Sequence, residues 1–320
     1  MSTIKDVAEM AGVSVATVSR YINNSGYVGK KSRDKIQKAI DELNFTPNEV
    51  ARSLFKKTSR LIGLLVPEID NPFFNLVIKG VESVCNKNGY NLIISNVHDY
   101  NDELKYIDSY EKNNIAGIIT SIGTIDENEV SCPIVGVDRA KTSYKYSVFF
   151  DEYMGGIICA NSILSRGCKK VLVNAGPQQI DIARQRLKGI KDVFDMNFID
   201  YDIYYSDSYE YNDALKLVSY LEKTNVKYDS IIACNDLFAL SIALHYQGKG
   251  LNIPKDVQII GYDDTIFSKV CNPMLATINH DGYKLGEESA KMLIDIIEDR
   301  EIKSKKIKLE SFLVENKSLR

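Results

Sequence analysis

Four groups of polar and aromatic residues stand directly behind apolar runs in this sequence. They are Asp70, Asn71, Phe73 and Phe74 after LIGLLV, Asp138 and Arg139 after PIVGV, Asn235 and Asp236 after DSIIAC, and Asp263 and Asp264 after QIIGY. Carboxylates, amides and guanidiniums offer bidentate hydrogen bonding, and phenyl rings offer flat apolar walls, so these groups could line a site for a small ligand. Catalysis has much less support. His98, His245 and His280 are isolated, and there is no G-x-S-x-G, no P-loop, no G-x-G-x-x-G after a strand and no metal-spaced His/Cys set. Asp263 and Asp264 could be cast as acid and base, but nothing in the sequence raises a pKa or supplies a further group. The expectation is a binding protein that is not an enzyme and has neither cofactor nor metal.

The elements that must position these groups follow from apolar patterning. From Leu61, short apolar runs alternate with amphipathic stretches: LIGLLV, YNLIIS, AGIIT, PIVGV, SVFF, KKVLVNA, DSIIA, VQIIGY and a late KIKLESFLV read as strands. Helices are expected near 73–88, 101–113, 152–165, 181–196, 209–223, 235–247 and 282–299. Buried strands separated by helices imply parallel sheets covered on both faces. About ten strands would be large for one sheet, and two half-patterns are visible, one from Leu61 and one from Lys170. The expected fold is therefore α/β, two doubly wound parallel-sheet lobes with ligand groups beyond the carboxyl ends of their strands.

The first sixty residues differ in character. They carry eleven Lys and Arg against six Asp and Glu, a balance of +5 that leaves −8 for the rest of a 320-residue chain of net charge −3. A small basic module on a large acidic body suits attraction to phosphates at one end only. Apolar residues between Thr3 and Asn44 fall at helical spacing in three groups. Thr3 with Asp6 makes a capping pattern, Gly12 can end the first helix, Ser14 can cap VATVSRYIN, and a third helix is expected from about Lys30 to Leu43. Pro47 sits near a further helix start, and Lys56, Lys57, Thr58 and Ser59 read as a tether.

Hydrophobic content of 44% is ordinary for globular folds. The six cysteines are scattered, as expected of small buried hydrophobes in a reducing cytoplasm. MSTIKDVAEM has no export signature, and no run approaches the roughly 18 apolar residues of a membrane span. A cytoplasmic protein without membrane contact is expected.

TIKDVAEMAGVSVATVSRYINNSGYVGKKSRDKIQKAIDELNFTPNEVARSL resembles the headpiece and hinge of the lactose-repressor (LacI/GalR) family of bacterial transcription regulators. RLIGLLVPEIDNPFF, GVDR, RQRLKGI, ACNDLFAL and IPKDVQIIGYDDT then follow in that family's order, so the resemblance spans essentially the whole chain. It implies a helix-turn-helix headpiece at 1–45, a hinge at 46–59, and a two-lobed effector and dimerisation domain at 60–320. Within that domain the first lobe would take about 60–157 plus part of 288–320, and the second about 158–287.

The resemblance implies that residues 14–22 lie in the major groove of operator DNA. Val15 and Ala16 would supply only shape and apolar contact, for instance to a thymine methyl. Arg20 would reach a guanine or a phosphate, and Ser14, Thr17, Ser19 and Asn23 would set register, with Thr3 and Tyr27 completing the contacts. So few readers require a homodimer on a pseudo-palindrome with half-sites about one helical turn apart. No apolar heptad follows Lys317, which favours a dimer over a tetramer. NEVARSLFKK resembles the hinge helix whose paired leucines wedge into the minor groove. Here the wedge is Leu54, with Ala51 and Arg52 beside it.

For the effector, a small sugar or sugar phosphate, the resemblance carries over Asp70, Phe73, Phe74, Asp151, Arg186, Asn235 and Asp263. Asp236 and Asp264 are as readily read as helix caps. One departure stands out: where many relatives have Ser-Asp-Asn before the glycine pair, this chain has Phe150, Asp151 and Glu152, so a charge replaces an amide. RSLFKKTSRLIG and NPFF resemble a ribose or sucrose/fructose type of repressor more than a purine type. Rival readings are control by a protein corepressor, and a sugar-uptake protein, which would start with an export signal and lack residues 1–60.

A leucine wedge unstacks a base step at a cost of a few kcal/mol and reads deformability rather than hydrogen bonds. Leu54→Ala is therefore expected to weaken binding to operator DNA much more than binding to random DNA. Titrations against both duplexes test this, and equal losses on the two would rule the wedge out.

Overall fold

The structure, a computed structural model, describes residues 2–23, 25–46, 59–140 and 144–320. The chain divides into two compact units, 1–59 and 60–320. Ala51, Arg52 and Leu54, and with them the hinge contacts expected of this segment, lie outside the described residues.

In the first unit, α1 (Ile4–Ala11), α2 (Val15–Asn23) and α3 (Lys30–Glu42) surround a small core. Thr3 and Asp6 form a reciprocal capping box on α1, which ends at Gly12 in the left-handed region at φ 64°. Ser14 Oγ accepts from Thr17 N–H at 3.2 Å and so caps α2. Val7, Ala8, Ala11, Val18, Val28, Ile36 and Ala39 are the buried residues that hold the three helices together.

The second unit contains two six-stranded sheets. In the first lobe the order is β11 (Lys306–Leu309), β5 (Ser147–Phe150), β4 (Ile134–Val137), β3 (Gly117–Thr120), β1 (Leu61–Val66), β2 (Asn91–Asn96), all parallel. In the second it is β12 (Phe312–Val314), β10 (Ala276–Asn279), β9 (Gln258–Asp263), β8 (Ser230–Ile232), β6 (Lys170–Asn174), β7 (Asp200–Tyr204), with only β12 antiparallel. Each sheet is buried on both faces. Ile62, Leu64 and Val66 point into one cluster of the first lobe, whereas Leu65 points into the opposite one.

The helices of this unit are α4 (Pro72–Lys87), α5 (Tyr100–Lys112), α6 (Glu152–Leu164), α7 (Asp181–Met196), α8 (Tyr211–Lys223), α9 (Asp236–Gly248), α10 (Ile266–Val270) and α11 (Gly282–Ile297). Two strands were not anticipated. DYDIY (β7) is a half-exposed edge, and ATIN (β10) is short and half polar. KIKLESFLV is not one strand but two, β11 and β12, which pair with different sheets.

The chain passes between lobes three times, between Phe150 and Glu152, between Asn279 and Gly282, and between Leu309 and Phe312. The first two crossings fall a few residues ahead of 157/158 and 287/288. The reason is packing: α6 packs as a whole on α7 in the second lobe, and α11 as a whole on α4 in the first.

These two helix pairs use the same device. A Cβ on Gly80 of α4 would run into the Tyr283 carbonyl of α11, and one on Gly286 into the Val77 carbonyl. In the second lobe, a Cβ on Gly156 of α6 would meet the Arg186 carbonyl of α7, and one on Gly189 the Tyr153 carbonyl. Two pairs of facing glycines thus let backbone lie on backbone. Gly80→Ala and Gly189→Ala are each expected to lower stability by about 1–3 kcal/mol through overpacking. Gly248→Ala, whose Cβ would meet open space, should be neutral or slightly stabilising. Urea unfolding midpoints of the three variants check the contrast.

Candidate functional site

The headpiece presents one face of α2 to solvent. Val15 is 40% exposed, Ala16 and Arg20 are exposed, and Val18 on the opposite face is fully buried. Ser14 Oγ lies 2.9 Å from Thr17 Oγ1, and Asn23 donates to Ser19 Oγ at 3.2 Å, so these four polar side chains are pre-set in pairs. Thr3 caps α1, and Tyr27 is 91% exposed in the loop before α3.

In the second unit, the carboxyl ends of the strands run into helix starts capped by short polar residues. Asn71 Oδ1 accepts from Phe73 N–H, Asp151 Oδ1 from Met154 N–H, Asn235 Oδ1 from Phe238 N–H and Asp281 Oδ1 from Lys284 N–H. Between the lobes these ends enclose a cavity of about 320 Å³. Glu68, Asp70 and Pro72 line it from the first lobe, and Tyr209, Tyr211, Asn235, Asp263 and Phe267 from the second. Asn71, Tyr209 and Asp263 also line a tighter inner recess, with Phe73, Phe74, Asp138, Arg139, Arg186 and His280.

Two guanidiniums organise this recess. Arg186, 7% exposed, donates from Nη2 and Nε to Glu152 Oε2 at 2.9 and 3.2 Å and from Nη1 to the Cys234 carbonyl at 2.7 Å. Its guanidinium carbon stands over Tyr262, 3.3 Å from the ring centroid. Glu152 is 2% exposed, so the charges compensate one another out of water, where loss of either partner costs about 3–5 kcal/mol. Arg139 donates from Nη2 to Glu68 Oε1 at 3.0 Å and stands over Phe74 at 5.5 Å and Tyr209 at 5.4 Å, one ring from each lobe.

Burial sets the protonation states. It pushes the Asp138 carboxyl up to about 6 and that of Asp236 to about 7, and it holds Asp263 well above the usual carboxylate range. Burial, reinforced by Arg186, holds His280 well below its ordinary value and hence neutral. Asp138, Asp263 and Asp264 adopt positive φ of 51°, 93° and 52°, local strain gathered where the strands meet the cleft. The buried Arg139 Nε, Tyr209 hydroxyl and His280 Nε2 have no hydrogen-bond partner among the described residues. Such groups are costly unless a polar ligand engages them.

Of the residues expected at an effector site, Asp70, Phe73, Phe74, Arg186, Asn235 and Asp263 line this space. Phe73 and Phe74 are also core residues, packed edge to face at 5.3 Å. Asp151 lines neither part; it caps α6 and pairs with Lys308 at 3.1 Å. Asp236 caps no helix, because Asn235 does so. Instead its carboxylate accepts from Thr265 N–H at 2.6 Å and from the Thr277 hydroxyl at 2.7 Å. Asp264 accepts from Asn279 Nδ2 at 2.9 Å. Glu68, Tyr209, Tyr211, Phe267 and His280 had not been singled out as ligand groups. Glu68, Tyr209 and His280 sit in loops without periodicity, Tyr211 and Phe267 in helices of the second lobe, and only topology brings the five together. Among the described residues no cluster of His, Cys, Asp and Glu suits a metal ion, and no helix is long and apolar enough to cross a membrane.

Residues 3–48 match the family described as "Bacterial regulatory proteins, lacI family", and residues 59–317 match "Periplasmic binding proteins and sugar binding domain of LacI family". The chain is 37% identical over 324 residues to the ribose operon repressor of Bacillus subtilis (strain 168), covering 100% of this chain and 99% of that one. Among solved structures it resembles a lac repressor dimer bound to operator and the anti-inducer ONPF, with a TM-score of 0.88, 24% identity and 99% and 98% of the two chains covered. It also resembles a LacI family transcriptional regulator from Enterococcus faecium with bound ribose, with a TM-score of 0.73, 25% identity and 81% and 98% covered.

The raised Asp138 carboxyl makes a signed prediction. Its protonated form is favoured in the fold, so its contribution to stability is lost as pH rises through about 6. Asparagine cannot ionise. The stability of Asp138→Asn minus that of the unsubstituted protein should therefore increase between about pH 5 and about pH 8. Urea unfolding at both ends of that range measures it, and a constant difference would contradict it.

Proposed function

Because the chain belongs to the lacI family of bacterial regulatory proteins, and is a DNA-binding repressor of a sugar operon, we propose that the cleft between its lobes takes ribose or a sugar of that size. Occupancy of the cleft then sets operator affinity in a cytoplasmic homodimer. The observation that carries this reading is the cleft itself. Arg139, Tyr209 and His280 line its inner recess, and each has a buried polar atom without a hydrogen-bond partner among the described residues. Its volume lies at the small end of the roughly 300–1,000 Å³ typical of ligand pockets. The likeness to a ribose operon repressor over the full chain supports the sugar named.

On the DNA side, the exposed Val15, Ala16 and Arg20 face of α2 would read each half-site. The paired side chains of Ser14, Thr17, Ser19 and Asn23 would hold register, with Thr3 and Tyr27 at its margins. Ala51, Arg52 and Leu54 would act at the operator centre. On the effector side, Asp263, Asn235 and Asp70 would accept or share hydroxyl hydrogen bonds, the two spare N–H groups of Arg186 would donate, and Phe73 and Phe74 would wall the ring. A ligand held by both lobes binds their closed and open arrangements unequally, and only such a difference transmits a signal to DNA.

Operator binding titrated against ribose, fructose, sucrose and other sugars is the test. Ribose should shift operator affinity by at least about fivefold, and Asp263→Ala should abolish that shift while leaving sugar-free operator binding in place. A flat response to every sugar would replace this reading with control by a protein corepressor.

A further inference from the structure

We propose that Glu152 makes the cleft selective for an uncharged sugar over its phosphorylated or carboxylate counterparts, by taking up the cation that an anionic ligand would need. This rests on the reading that the cleft binds a sugar.

Among the described residues two cations line the cleft, and each already has its own carboxylate. Arg186 gives Nε and Nη2 to Glu152 and Nη1 to the Cys234 carbonyl, and its guanidinium carbon stands over Tyr262. Of five N–H donors it keeps two, enough for sugar hydroxyls. Its positive charge is balanced at 2.9 Å by a partner equally withdrawn from water. Arg139 is balanced by Glu68 at 3.0 Å, with the Asp138 carboxylate 3.9 Å from its Nε. The acidic groups that remain to face a ligand are Asp138 and Asp263 in the inner recess and Asp70 in the outer cavity, with Asp263 held toward its neutral form by burial.

A phosphate monoester carries about −1.5 to −2 charges near neutral pH. On entering it would lose its hydration and meet acidic groups, with no uncompensated cation in return among the described residues that line the cleft. A neutral polyol meets the same groups as hydrogen-bond partners. Glu152 is the group whose charge cancels that of Arg186. With an amide there, Arg186 would keep a hydrogen-bond acceptor and regain a net positive charge.

Calorimetric titration of the full chain with D-ribose, D-ribose 5-phosphate and D-ribonate tests the assignment. The unsubstituted protein should bind ribose at least about tenfold more tightly than either anion, which is about 1.4 kcal/mol. In Glu152→Gln, with folding checked by circular dichroism, that preference should fall about tenfold or invert. Should Glu152→Gln fail to fold, Glu152→Asn carries the same neutral amide on a shorter stem. Binding of either anion as tightly as ribose by the unsubstituted protein overturns the proposal. So does an unchanged ratio in a folded amide variant. If the protein binds none of the three, the sugar-cleft reading falls and takes this one with it, whereas a protein that binds ribose and the anions alike leaves the cleft reading standing.

Discussion

A guanidinium buried almost completely inside a protein must find a counter-charge and acceptors for its donors, or it does not stay there. Arg186 meets that demand with Glu152, the Cys234 carbonyl and the face of Tyr262. The arrangement depends on backbone: Gly156 and Gly189 let α6 and α7 touch, and the carbonyl that Gly156 leaves room for is that of Arg186 itself. Close helix packing, the ion pair and the floor of the cleft are thus one construction. Glu152 stands one residue after the first lobe crossing's midpoint at Asp151, so the same pair also anchors the place where the chain changes lobes.

The second crossing is fastened to the first by rings rather than charges. His280, held neutral by burial, stacks on Phe150 at 4.1 Å and meets Tyr262 edge-on at 4.8 Å. Phe150 closes β5 and His280 follows β10, so the two connecting segments are locked side by side above the tyrosine that carries Arg186. A ligand that touches His280 therefore touches a connection itself, and one that touches Arg186 touches the partner of Glu152 at the other.

Much of this was legible in the sequence, for an identifiable reason. Parallel strands buried on both faces are nearly continuous apolar runs, so LIGLLV, AGIIT, PIVGV and VQIIGY declared themselves, and the polar residues behind them were found with them. The edge strand at Asp200–Tyr204 carries polar residues on a half-exposed backbone and gave no such signal. Arg186, Asn235 and Asp263 stood out by motif, but the partner of Arg186 lies 34 residues away in sequence, and no spacing rule reaches across that separation. Tyr209 and His280 join the cleft only because two loops on different strands converge, which is a property of topology rather than of local pattern.

The interleaving of the lobes has a consequence for the order in which the protein takes shape. The first lobe needs α11 and β11, from residues 282–309, and the second needs β12 and then Ser318, which donates to the Ile259 carbonyl and accepts from Ala276 N–H. A chain emerging from the ribosome has made the three helices of its headpiece long before either lobe can close, and both lobes are completed by residues 282–320. The headpiece is therefore made before the part that carries the cleft is whole.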